Sequence, residues 1–201
     1  MKTLSRFAFA FVLLLVLGSA LVTAQEDTPT TLRTLADARG LAVGAAAFSY
    51  HLDDPALSRV LAREFNMLTP EHEAKHCQLE SQPGRFDFRK VDRLVDFAEE
   101  NEMRVHGHAL VWHSCMPAWL QPGAYTRDEA IAMLRAYIMT TVGRYKGRIP
   151  IWDVVNEAVA DNGIGLRDTP WLSLIGDDYV ELAFRFAHEA DPEALLFYND
   201  Y

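Results

Sequence analysis

Ile151, Trp152, Val154 and Val155 belong to an apolar run that ends abruptly in an amide and a carboxyl, Asn156 and Glu157. A strand that buries such a run and delivers polar groups at its C-terminal end is how an α/β barrel sets catalytic residues at its top face. Backed by Trp152 and nearby aromatics, Glu157 would be partly desolvated, which raises a carboxyl pKa toward the range of a general acid. Asn156 beside it could hydrogen-bond a substrate hydroxyl. The plainer alternative has Glu157 capping the next helix or pairing with a base. A second pattern, His72-Glu73-Ala74-Lys75-His76, fits the H-E-x-x-H signature of zinc peptidases, with two imidazoles one helical turn apart. Zincin sites lie inside long amphipathic helices, whereas this segment runs from Thr69-Pro70 to Ser81-Gln82-Pro83-Gly84 and leaves room for a turn or two, so a zinc peptidase is a remote reading. For His106, His108 and His113 the bland reading is a hydrogen-bonded cluster at a strand end.

The elements that would position these groups alternate. Residues 41–47 read as a short buried strand, 54–65 as a helix with Leu57, Val60, Leu61 and Phe65 at helical spacing, and 65–70 as a strand stopped by proline. An amphipathic stripe of Val91, Leu94, Val95 and Ala98 marks a helix over 87–100, followed by a strand over 103–112. Thr126 and Glu129 have the spacing of a capping box, which starts a long helix carrying Ile131, Leu134, Ile138 and Val142. A strand over 149–156, a helix over 177–190 and the run from Leu195 to Tyr201 complete the series. Such alternation implies a parallel sheet with right-handed crossovers. Of an open doubly wound sheet and a (β/α)8 TIM barrel, polar and aromatic strand ends around Glu71, His108–His113, Glu157 and Asn199 favour the barrel. No Gly-rich phosphate loop follows the first strand. Five strands are counted, so the α/β barrel is expected to be truncated after about the fifth strand, since closure needs eight.

A basic start with Lys2 and Arg6, an apolar core over 7–17 and small residues up to Ala24 form the pattern of a secretory signal peptide over 1–24. The apolar run is short for a membrane span. Residues 25–40 read as a polar lead-in and 41–201 as the partial catalytic barrel. Losing the leader removes two positive charges and takes the formal charge from −9 to −11. An acidic chain without a basic tract argues against nucleic acid or an anionic membrane as partner and is compatible with a neutral polymer. Only Cys77 and Cys115 are present, and at this level paired and free thiols both stay open.

Thr69-Pro70-Glu71 with Lys75, then Gly107 to His113, then Trp152 to Ala158, then Asn199-Asp200-Tyr201 resemble, in order, the motif series of glycoside hydrolase family 10, the endo-β-1,4-xylanases. The resemblance implies a secreted TIM-barrel enzyme that cleaves xylan or a related β-1,4-glycan with retention, without a cofactor or metal, and as a monomer when full-length. It makes Glu157 the acid/base and Asn156 the residue holding the 2-hydroxyl at the cleavage point. Lys75, His108 and Trp112 would line the glycone side, with Glu71 binding hydroxyls next to them, His113 supporting that wall and Tyr201 near the aglycone side. Where the family usually reads Glu-Asn-x-Met-Lys-Trp, the chain has Glu71-His72-Glu73-Ala74-Lys75-His76, and Cys115 replaces a Gln; all three changes are expected near the sugar subsites. Cys77 and Cys115 follow neighbouring barrel strands, so a disulfide between those loops is expected. The family's nucleophile comes from a later strand, beyond Tyr201; Asp153 and Asp200 are the nearest spare acids and neither sits at its place. Little hydrolysis by the chain alone, exposed edges on the first and fifth strands, and as an alternative a non-catalytic glycan-binding half-barrel follow as expectations.

Overall fold

The computed structural model describes residues 30–201, so the signal-peptide reading of 1–24 lies outside the described residues. The first element falls inside the segment read as a polar lead-in. Helix α1 (Leu32–Asp37) starts at Thr31, whose hydroxyl accepts from the Thr34 N–H while Thr34 Oγ1 accepts from the Thr31 N–H. The Thr-for-Glu version of the capping box hides this start from a pattern search. Arg33 fixes α1 to the bottom of the fold by donating to the carbonyls of Ala62, Asn101 and Glu102.

The rest alternates as the hydrophobic pattern requires. Strand β1 (Gly44–Ala47) leads to α2 (Pro55–Glu64), capped by the Asp54 carboxylate with Pro at its first turn. β2 (Met67–Pro70) is followed by a one-turn helix α3 (His76–Leu79) and a small hairpin, β3 (Glu80–Gln82) with β4 (Arg85–Phe86), where Pro83-Gly84 alone predicts a loop. Helix α4 (Arg89–Glu100) buries Val91, Leu94, Val95 and Ala98, and β5 (Arg104–Trp112) follows. The box of Thr126 and Glu129 is made and starts α5 (Arg127–Arg144), which buries Leu134, Ile138 and Val142 with Ala130, Tyr137 and Thr141. Then come β6 (Ile151–Asn156), α6 (Pro170–Ile175), α7 (Tyr179–Ala190) and β7 (Leu195–Asn199).

β1, β2, β5, β6 and β7 form one parallel sheet in that order, with β1 and β7 as its edges. Helices cover the outer face. The inner face, on which Met67, His106, Ile151, Asp153 and Phe197 meet, remains open, and at the β7 edge Leu195 and Phe197 are exposed. Consecutive β/α units curve the sheet as a barrel wall does, but five strands do not close it.

One glycine is demanded by packing. A Cβ on Gly107 would stand 2.2 Å from Cε3 of Trp152, a ring that is fully buried between the sheet and its helices. Gly107→Ala is therefore expected to destabilise the protein by about 2 kcal/mol, because Trp152 must leave its place in a close-packed core. Urea denaturation checks it; an unchanged midpoint would show that the indole has room to yield.

Candidate active site

The top ends of β2, β5, β6 and β7 bring together most of the residues singled out in the sequence. Glu157 follows β6 directly with φ +53°, the left-handed region that a non-glycine residue occupies at a cost of about 1–3 kcal/mol. Two backbone contacts hold it there: its N–H donates to the Asn199 carbonyl at 2.8 Å, and its own carbonyl accepts from Arg167 Nε at 3.1 Å. The turn swings the carboxylate under Trp112, whose Nε1 donates to Glu157 Oε2 at 2.8 Å. No helix begins here, so the capping alternative for Glu157 fails; the next helix starts at Pro170.

Lys75 completes this corner. Its ammonium lies 4.8 Å from the Trp112 ring centroid and donates to the Glu71 carbonyl at 2.8 Å. Burial lowers the Lys75 pKa, against the opposing pull of Glu71, Glu157 and Glu73. Asn156 is buried beside Glu157, and its Oδ1 accepts from Asn199 Nδ2 at 2.7 Å, which leaves the Asn156 amide N–H pair as the donor end.

Below them sits a carboxylate between two imidazoles. Asp153 Oδ2 is 2.8 Å from His108 Nδ1, and Oδ1 is 3.0 Å from His106 Nε2, although the latter contact lacks the alignment of a hydrogen bond. Burial on its own would raise the Asp153 pKa; the two imidazoles outweigh it and bring the carboxyl down to about 2. His108 is thus oriented by Asp153 rather than free, the hydrogen-bonded arrangement of the plainer reading, though within β5 and not at its end.

On the other side of Glu157 the loop after β6 folds back over the end of β7. Arg167 donates to Asp161 and to the Tyr201 hydroxyl, and Tyr201 in turn donates to Asp161 at 2.7 Å. The Tyr198 hydroxyl accepts the N–H groups of Ala158 and Val159 and donates to Asp200. Asp161, Gly163, Arg167, Tyr198, Asp200 and Tyr201 line an open pocket beside this loop. His113 faces the same ionic cluster, where burial and Arg167 lower its pKa against Glu157, Asp161 and Asp200. Arg167 and Asp161 were not anticipated; nothing in their local pattern separates them from solvated loop charges. Asp153 carried a usable signal, an acid inside an otherwise apolar strand, because a buried carboxylate needs partners.

The zinc-peptidase reading is overturned. His72 and His76 do not share a helix, since α3 begins only at His76. The Glu73 carboxylate accepts from the Ser49 N–H at 2.6 Å. His76 is buried, stacked 3.6 Å from Tyr137, with Nε2 2.8 Å from Glu80 Oε2. Burial lowers its pKa against the pull of Glu80. The expectation that His76 and Cys115 alter the sugar subsites fails: His76 is the flat ring that fills an aromatic slot between Tyr137 and Trp171, and Cys115 is buried and spent in a disulfide. Cys77 and Cys115 are joined, with their Cα atoms 5.1 Å apart, tying α3 after β2 to the segment after β5.

Comparison with known proteins places this geometry. Residues 31–201 match the model of Glycosyl hydrolase family 10. The chain is 40% identical over 192 residues to endo-1,4-beta-xylanase B of Thermotoga neapolitana, which covers 94% of this chain and 55% of that protein. Native xylanase 10B from Thermotoga maritima superposes with a TM-score of 0.82 at 43% identity, covering 86% of this chain and 54% of the other. Xylanase 10B from Thermotoga petrophila RKU-1, solved in complex with xylobiose, gives 0.82 at 42% identity over 87% and 54% of the two chains. The chain thus spans about half the length of the relatives it matches.

Proposed function

The chain belongs to glycosyl hydrolase family 10, and from that premise we propose that it carries the acid/base half of a secreted endo-β-1,4-xylanase that works with retention. The observation that carries the reading is the corner where Trp112 Nε1 holds the Glu157 carboxylate at 2.8 Å with the Lys75 ammonium against the same indole. That corner offers a proton donor, a fixed cation and an aromatic wall at the strand ends, which is what breaking a glycosidic bond needs. Glu157 protonates the leaving oxygen and, in the second step, takes a proton from the incoming water. Asn156 holds the sugar 2-hydroxyl. Glu71, Lys75, His108 and Trp112 line the glycone side, and Tyr201 lies on the aglycone side above the Asp161–Arg167 pair. The solved relative in complex with xylobiose supports a xylan-type substrate.

Retention needs a second carboxylate about 5–5.5 Å from the first. Asp153 is engaged by two imidazoles and Asp200 by the Tyr198 hydroxyl, so neither serves. The nucleophile is assigned to a strand that follows β7 in a longer protein. Xylo-oligosaccharide hydrolysis by the protein from its natural source, followed by proton NMR, tests this: the β-anomer of the product is expected first. Early α-anomer would overturn retention, and binding without cleavage would favour the glycan-binding alternative. An N-terminus at Gln25 on the exported protein is the expected mark of secretion.

A further inference from the structure

We propose that the Cys77–Cys115 disulfide masks a thiophilic metal site, and that its reduction yields a Cys2His set, completed by His72, which takes one Zn(II) or a similar soft divalent ion per chain. The two sulfurs and a His72 ring nitrogen already lie within 4.8 Å of one another. A tetrahedral zinc with bonds of about 2.3 Å to sulfur and about 2.0 Å to nitrogen needs sulfurs about 3.8 Å apart and nitrogen about 3.6 Å from each. Opening the S–S bond and turning the two side chains reaches that spacing without moving the loops.

The loops are held by contacts that do not involve the cysteines. Cys77 is next to His76, which is locked between Tyr137 and Trp171 and against Glu80. The loop carrying Cys115 is pinned nearby, because Trp119 Nε1 donates to the Glu80 carbonyl at 3.0 Å. One residue, Glu80, therefore anchors both sides, and the thiols stay facing each other after reduction. Cys115 is buried, whereas His72 and Cys77 are half-exposed, which gives an ion a way in and leaves a fourth position for water. This set shares neither its second ligand nor its geometry with the H-E-x-x-H pattern, because His76 is used in the core.

The chemistry balances with a phosphine as reductant. Phosphine, disulfide and water give phosphine oxide and two thiols, and the ion then displaces two thiol protons as it binds. Metal would hold together the same two loops that the disulfide joins, those leading from Lys75 and from Trp112.

The test uses the full protein with Zn(II) and with Co(II) as the spectroscopic probe. After phosphine reduction one ion per chain is expected, with a sulfur-to-cobalt charge-transfer band and a higher Tm on adding zinc; the oxidised protein is expected to show neither. His72→Ala, a substitution of a half-exposed side chain, is expected to weaken binding at least tenfold. A reduced protein that takes up no stoichiometric metal and gains no Tm from zinc would overturn the proposal, and so would a His72→Ala variant that binds as tightly as its parent.

Discussion

Glu157→Gln is expected to lower kcat on xylan by about a thousandfold in the protein whose barrel is complete, within the range that removing a general acid–base costs. The amide keeps the shape and can still accept from Trp112 Nε1, so binding is expected to change little and KM to stay within a few-fold of the parent. The loss should depend on the leaving group. A xylose sugar leaves as an alkoxide unless it is protonated, whereas an aryl group that leaves as a stable phenolate needs little help. On such aryl xylosides the first step is expected to be almost as fast as in the parent, with the second step slowed because no base activates water. A burst of phenol followed by slow turnover is the signature. A uniform loss on both substrate types would mean that Glu157 binds or positions rather than transferring a proton.

The strand order and the helices were legible because each buries one continuous stripe. Leu94 and Val95 on α4, Leu134 and Ile138 on α5 and Val154 and Val155 on β6 are where hydrophobic spacing places them. Five strands in sequence order with edges at β1 and β7 followed from the same pattern. What stayed hidden rests on contacts between residues far apart in the chain. Helix α1 is capped by Thr31 with Thr34 standing where the box usually has an acid, and it is held by Arg33 reaching the carbonyls of Ala62 and Asn101. The left-handed turn at Glu157 cannot be read from its neighbours, because glutamate gives no hint of positive φ. His76 fits both the remote H-E-x-x-H pattern and, through the family resemblance, a place near the sugar subsites; only the surrounding Tyr137 and Trp171 make it a core ring. Of the site, the motif residues were placed by order along the chain. The arginine that supports the acid, Arg167, reaches the Glu157 carbonyl only because the loop after β6 folds back over β7, a contact that no local pattern encodes.

Asp153→Ala carries the largest expected cost to stability, about 3 kcal/mol at neutral pH, because it strips the partner from two imidazoles on the inner face of the sheet. The pH dependence separates the charge from the lost volume. The Asp153 carboxyl is held at about 2 in the folded protein against an ordinary value of 3.8, a depressed pKa. Its ionised form therefore contributes stability above about pH 4, roughly 2 kcal/mol, and that contribution is lost as pH falls toward 2. The gap in unfolding free energy between parent and variant is expected to be widest near pH 5–7 and to narrow by more than half by pH 2.5. Asp153→Asn, which keeps the volume and an acceptor, is expected to retain the smaller, pH-independent part. A gap that stays constant from pH 6 to pH 2.5 in urea titrations would show that Asp153 stabilises the fold by packing, and that the two imidazoles do not hold its charge. Because His108 in β5 has its Nδ1 turned toward Asp153, the same variant is expected to free the imidazole that the proposed function places on the glycone side and to raise KM for xylo-oligosaccharides more than it lowers kcat.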